Sequence, residues 1–229
     1  MATIAWRLPP DDRPARARGT HTGPLVEWHV LALSLTLFLY SFGYGAITSF
    51  VALYADASGV RPKGIFFTTF ALTVLVTRPI SGPISDRIGH RRVFLPCLGL
   101  IVAGLALLAL DGSRRGLVTA AIVFGTGFGT AYPAFAAYVM QHVDDSRRGA
   151  AFGSILAAFD TGIGTGSVST GWIAQRAGFS AAYAVSALLA TLALPFFLLT
   201  EKRLLRPVSD LRRAPDRIDS HLPYVGGIE

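Results

Sequence analysis

Runs of apolar residues alternate with short polar stretches along most of the chain. The apolar runs span 27–53, 64–84, 93–110, 117–141, 149–175 and 180–200. Each is close to the ~20 residues that cross a bilayer as a helix, and the longer ones predict tilted spans. The polar stretches between them, 54–63, 85–92, 111–116, 142–148 and 176–179, are turns rather than domains. The pattern therefore predicts an all-α membrane protein with six transmembrane helices. Residues 25–200 form the bundle, 1–24 a polar lead expected to be disordered, and 201–229 a basic tail.

Composition supports this reading. The chain has 229 residues, 52% hydrophobic and only 15% charged, against about 25% charged in a soluble domain. Mean hydropathy is +0.48. The net charge of +7 sits in loops and tails, so anionic lipid headgroups, not nucleic acid, are its expected counter-charge. The 21 Lys and Arg residues also set an orientation. With both termini on the cytoplasmic side, only Arg61, Lys63, Arg114, Arg115 and Arg176 face outward and Arg78 lies within a span. That bias predicts a multi-pass cell-membrane protein with both ends inside.

Catalytic chemistry finds no support. Cys97 is the single cysteine, which excludes an intramolecular disulfide and a cysteine metal site. His21, His29, His90, His142 and His221 are scattered without ligand spacing. The glycine-rich run 162–167 follows no strand and lacks the Gly-Lys-Ser/Thr of a phosphate loop. Neither a metal, a cofactor nor an enzymatic activity is expected. Glycine pairs at four-residue spacing (Gly125 and Gly129, Gly149 and Gly153, Gly162 and Gly166) predict close helix approach instead.

Two ionisable side chains fall within spans, Arg78 and Asp160. A charge at mid-bilayer costs at least ~2.5 kcal/mol on insertion scales, so each is a candidate for function. Asp160 reads either as a protonatable coupling carboxylate or as a structural partner of Arg78 or of nearby hydroxyls. Arg78 precedes Pro79 and is placed to bond the carbonyls that this proline frees. Tyr40, Tyr44, Thr48, Phe66, Thr69, Tyr132 and Thr161 are, with Asp160, the candidate lining of a solute cavity. Pro133 with Gly125, Gly127 and Gly129 predicts a bent or thinned fourth span.

The stretch Gly82-Pro83-Ile84-Ser85-Asp86-Arg87-Ile88-Gly89-His90-Arg91-Arg92 joins the second and third runs. Its Gly-x-x-x-Asp-Arg-x-Gly-x-Arg-Arg pattern resembles the signature loop of the major facilitator superfamily of transporters. Arg78-Pro79, the start Arg148-Gly149-Ala150-Ala151-Phe152-Gly153 and the run Phe159-Asp160-Thr161-Gly162 extend the resemblance over about 25–206. It is closest to the C-terminal six-helix half of drug- and sugar-efflux permeases. The resemblance implies one half of that fold, a 3+3 inverted repeat. It also implies secondary transport of a small organic solute, expected as proton-coupled efflux, and a cytoplasmic latch made of Gly82, Asp86, Arg87, Gly89, Arg91 and Arg92. Asp144, Asp145, Arg147 and Arg148 form a second charged turn placed to meet it. Family members have two such halves, so an active form needs a second six-helix half, from a separate chain or a second copy. Residues 1–8 look like the end of a preceding helix and linker; a truncated, non-transporting fragment or a regulatory subunit that binds a permease is the alternative expectation.

Overall fold

The computed structural model describes residues 28–143 and 147–204. The expected lead (1–24), Asp144, Asp145 and the tail beyond Leu204 lie outside them. Among the described residues five helices are long and apolar enough to cross a membrane. They are α1 (Trp28–Ala57), α2 (Ile65–Ile88), α3 (His90–Leu110), α4 (Arg114–Met140) and α5 (Arg148–Leu204). Little in these sequences favours one apolar face over another, as expected of helices surrounded by protein and lipid. Prolines 79, 83, 96, 133 and 195 sit inside helices. In hydrocarbon the helix survives them because unsatisfied backbone has no better alternative.

α5 is interrupted. Gly178 has φ 84° and ψ 168°, outside helical space, and divides the segment into two arms. Contacts show where each arm goes. Tyr54, near the end of α1, packs on Phe179 and Tyr183 at ring distances of 5.6 and 5.4 Å. Gly112, in the α3–α4 turn, lies against the Tyr54 hydroxyl. Gly178 is therefore at the end of the molecule where α1 stops and α4 starts. The second arm returns, and Phe197 packs on Phe94, Phe135 and Tyr138.

The helices pair selectively. α1 packs chiefly on α5, α4 on α3 and α2, and α3 also on α5. The α1–α5 seam is backbone against backbone. A Cβ added at Gly45 would meet the Ile163 carbonyl, one at Gly162 the Phe38 carbonyl at 2.6 Å, and one at Gly166 the Phe42 backbone at 2.8 Å. Ser41 donates to the Phe159 carbonyl at 2.9 Å and Ser167 to the Gly45 carbonyl at 3.1 Å across the same seam. The Gly125 and Gly129 pair receives α2 through Thr73 and Val74 at 3.2 Å. The Gly149 and Gly153 pair departs from expectation, because both positions face open space.

Candidate functional site

The signature stretch is more helical than its charge suggests. Ser85–Ile88 was expected in a turn but completes the last turn of α2, and His90 already begins α3. Gly89 alone joins them, with φ 96° and ψ 135°, a region that side chains avoid. Gly82 lies within the helix and makes no close approach. Asp86 is exposed in that last turn, 4.0 Å from His90 Nε2, and the Ser85 hydroxyl shares a 2.7 Å hydrogen bond with His90 Nδ1. Arg87 and Arg92 are exposed. A pocket of about 170 Å³ lies behind this turn, between α2 and α4, lined by Ser81, Ser85, Asp86, His90 and Thr130 among others.

Arg91 has a different partner. Its Nε donates to both carboxylate oxygens of Glu201, at 2.7 and 2.9 Å, and the Tyr138 hydroxyl donates to the same carboxylate. Glu201 is 9% exposed. The cluster clasps the start of α3, the end of α4 and the end of α5 together. Sequence reasoning missed Glu201 and Tyr138. The available signal was an acid placed directly after the last apolar run.

The other candidates are spread over α1, α2, α4 and the first arm of α5. Tyr44 stacks on Phe128 with centroids 4.1 Å apart, in a group with Phe70 and Phe124. Tyr132 packs on Phe159 at 5.0 Å. Thr48 and Thr161 are exposed, each bonded to its own helix, Thr48 to the Tyr44 carbonyl at 3.0 Å and Thr161 to the Ala157 carbonyl at 2.6 Å. Thr69 is half-buried on α2, and Asp160 is exposed on the first arm of α5. An apolar groove of about 470 Å³ runs between α1 and that arm, from Leu31 to Thr161. Tyr40 and Phe66 are placed otherwise than expected. Both are completely buried, Tyr40 against Phe94, Phe128 and Phe159, so neither lines an open surface of this chain.

Arg78 and Asp160 do not meet. α2 and α5 share no packed interface, and among the described residues neither side chain has an ion pair. Nor does Arg78 bond carbonyls near Pro79; the helix continues to Ile88 without it. The structure thus offers a cluster of aromatic rings between α1, α2 and α4, with one carboxylate and one guanidinium exposed within apolar helices. Among the described residues no group of His, Cys, Asp and Glu is arranged to hold a metal.

Comparison with known proteins agrees with this architecture. The chain is 28% identical over 180 residues to the MFS-type transporter YhhS of Salmonella typhimurium strain LT2, covering 79% of this chain and 44% of that protein. It is 29% identical over 172 residues to the MFS-type transporter PA1993 of Pseudomonas aeruginosa PAO1, covering 75% and 42%. The chain thus spans less than half the length of these relatives. Among solved structures it resembles a mutant of peptide transporter POT in complex with sulfate (TM-score 0.69, 21% identity, 85% of this chain and 44% of that one). It also resembles the POT family transporter PepTSo (TM-score 0.67, 19% identity, 79% and 39%). At these identities the structures speak for the fold alone. The family model for the Major Facilitator Superfamily matches residues 6–225, and with that match over nearly its whole length the chain belongs to this superfamily of membrane transporters.

Proposed function

We propose that this chain is one six-helix half of a secondary transporter that carries a small organic solute through the cell membrane by proton-coupled efflux. The observation that carries the reading is Asp160, a carboxylate exposed at the middle of an apolar helix with no cationic partner among the described residues. A group that expensive to keep in a membrane is retained where protonation or solute binding uses it. Tyr44, Thr48, Thr69 and Tyr132 supply hydroxyls and ring faces on α1, α2 and α4, and Thr161 a hydroxyl beside Asp160 on α5, which suits an amphipathic organic solute better than a simple ion. Binding and release require no covalent step by these residues.

Six spans follow if the two arms of α5 each cross the bilayer. At about 1.5 Å per residue the whole segment is far longer than a ~30 Å hydrocarbon core, and its two ends of contact, Phe179 with Tyr54 and Glu201 with Arg91, lie at opposite ends of the bundle. The pairing pattern supports a 3+3 inverted repeat: α1 packs on the later arms, and α4 packs on α2 and α3. The basic turn Arg87, Arg91 and Arg92 favours that end, and both termini with it, on the cytoplasmic side. A second six-helix half supplies the other wall, and Asp86, Arg87 and Arg92, together with Gly82 near the end of α2 and Gly89 at its junction with α3, form the latch that meets it.

The test is flux. The chain, alone and with a complementary half, is reconstituted in vesicles carrying a pH gradient, and solute-dependent proton movement is followed for a panel of organic cations and neutral solutes. Proton movement that Asp160→Asn abolishes supports the reading. Flux that survives the replacement unchanged removes Asp160 from the coupling role, and no flux in any arrangement leaves a non-transporting membrane subunit.

A further inference from the structure

The α2–α3 junction holds a histidine cluster that the proposed transport does not use. Gly89 alone separates the two helices, with Ser85 and Asp86 on one side of it and His90 on the other. α2 packs chiefly on α4 and only slightly on α3. At this end the two helices are therefore tied through Gly89 and the side chains around it. The His90 side chain is 13% exposed. Its Nδ1 shares a 2.7 Å hydrogen bond with Ser85 Oγ, while its Nε2 stands 4.0 Å from Asp86 Oδ1, too far for a second one. Asp86 is 76% exposed, so its carboxylate has room to turn. The pocket of about 170 Å³ beside these groups is large and polar enough for water to reach the ring.

A neutral imidazole has one N–H and one bare nitrogen, whichever tautomer it takes. Only the protonated ring donates from both nitrogens, to Ser85 Oγ and to Asp86 together. The surroundings accept that charge. The pocket lining from α2 includes Ser81, Ser85 and Asp86, and from α4 Thr130, Pro133, Ala134 and Ala137, none of them basic. Arg87 on α2 and Arg92 on α3 are exposed, and Arg91 is engaged by Glu201. The positive start of α3 is offset by the negative end of α2 across Gly89.

We infer that Ser85, Asp86 and His90 form a second proton-binding site, apart from Asp160, and that a proton bound there ties α2 to α3. When the ring is charged, Asp86 turns onto Nε2, and this ion pair and the Ser85 bond together bridge Gly89. When the ring is neutral the ion pair is lost, and the Ser85 bond and the backbone hold the junction. Histidine is the side chain whose charge ordinarily changes between about pH 5 and 8. The site thus gives the junction a pH response on the side proposed to be cytoplasmic, strongest below that range and lost as pH rises through it. An exposed ion pair shifts an equilibrium about two- to fivefold, enough to bias a joint without freezing it.

The experiment is amide hydrogen exchange of the full chain in lipid nanodiscs. The Gly89 N–H donates to the Ser85 carbonyl at 3.0 Å and the Arg92 N–H to the Gly89 carbonyl at 3.1 Å, so their exchange reports opening of the junction. Protection factors, referred to the unstructured-peptide rate at each pH, are compared at about pH 8 and about pH 5.5. Acidification is expected to raise protection at both amides about two- to fivefold. The Leu117 N–H, bonded to the Ser113 carbonyl at 2.9 Å at the other end of the bundle, is expected to show no such rise. His90→Gln should abolish the effect. Asp86→Ala, at an exposed position that folding does not depend on, should abolish it as well, so the test does not hang on the histidine variant. His142→Gln, at the end of α4, should leave it intact. Protection that stays level or falls on acidification overturns the inference. So does a rise that survives His90→Gln or Asp86→Ala, or one that His142→Gln removes. The readout is independent of flux, so failure of this inference and failure of the transporter reading are distinguishable.

Discussion

Replacing Gly166 by alanine tests how the bundle is held together. The added Cβ would lie 2.8 Å from Phe42 Cα, where carbon atoms normally sit about 3.5–4.0 Å apart. The obstructing group is backbone, so no rotamer change relieves it. α1 and the first arm of α5 must then separate by about 1 Å. That motion stretches the bonds from Ser41 to Phe159, from Ser167 to Gly45 and from Ser49 to Ser167, now 2.9, 3.1 and 2.9 Å long. Side-chain hydrogen bonds between membrane helices average about 0.6 kcal/mol, so losing three removes about 2 kcal/mol. Overpacking adds about 1–3 kcal/mol. Gly166→Ala should therefore destabilise the fold by about 3–5 kcal/mol, measured by tryptophan fluorescence during unfolding in mixed micelles with increasing dodecyl sulfate. Gly164→Ala is the control, because nothing lies near that position. Equal stabilities for the two variants would refute the claim that α1 and α5 meet through their backbones.

Other outcomes follow from the same geometry. Glu201→Gln removes the charge that Arg91 and Tyr138 share; a hydrogen bond to a charged group is worth about 1.5–3 kcal/mol, and amide exchange near 138 and 91 should accelerate accordingly. Gly89→Ala forces a side chain into a positive-φ conformation at about 1–3 kcal/mol, read in the same unfolding assay; a cost near zero would mean the α2–α3 junction relaxes freely. The Ser113 N–H bond holds the Asp111 carboxyl below the usual carboxylate range. A lowered folded-state pKa stabilises above the ordinary value and loses that contribution as pH falls through the lowered one. The Ser113 amide resonance should therefore titrate below about 3.9, and should cease to titrate there in Asp111→Asn.

Much of the architecture was legible in the residues because hydrocarbon imposes a simple rule: apolar runs of sufficient length become helices. The run 93–110 became α3 with only its first turn displaced, and 117–141 became α4. The ends were less legible. Ser85–Ile88 is charged enough to read as a turn, yet helical hydrogen bonding continues until Gly89 permits the reversal. Glycine spacing was ambiguous for the same reason. Gly162 and Gly166 approach α1, whereas Gly149 and Gly153 approach nothing, and spacing alone does not say which face of a helix meets a neighbour. The candidate lining divided along similar lines. Thr48 and Thr161 are exposed, while Tyr40 and Phe66 were absorbed by aromatic packing that depends on helix rotation. The pairing of Glu201 was not legible because its partner Arg91 is 110 positions away.

The central claim is that Asp160 stands on the wall of a water-accessible solute path and not against lipid. The most direct measurement is labelling of Asp160→Cys, in the Cys97→Ala background, by a membrane-impermeant charged thiol reagent added from each side of sealed vesicles. The proposed coupling role predicts labelling from the two sides that changes when the pH gradient is reversed, with Val168→Cys, an exposed apolar position further along the same helix, as comparison. A cysteine at 160 that no aqueous reagent reaches from either side, in protein shown to be folded, would contradict it.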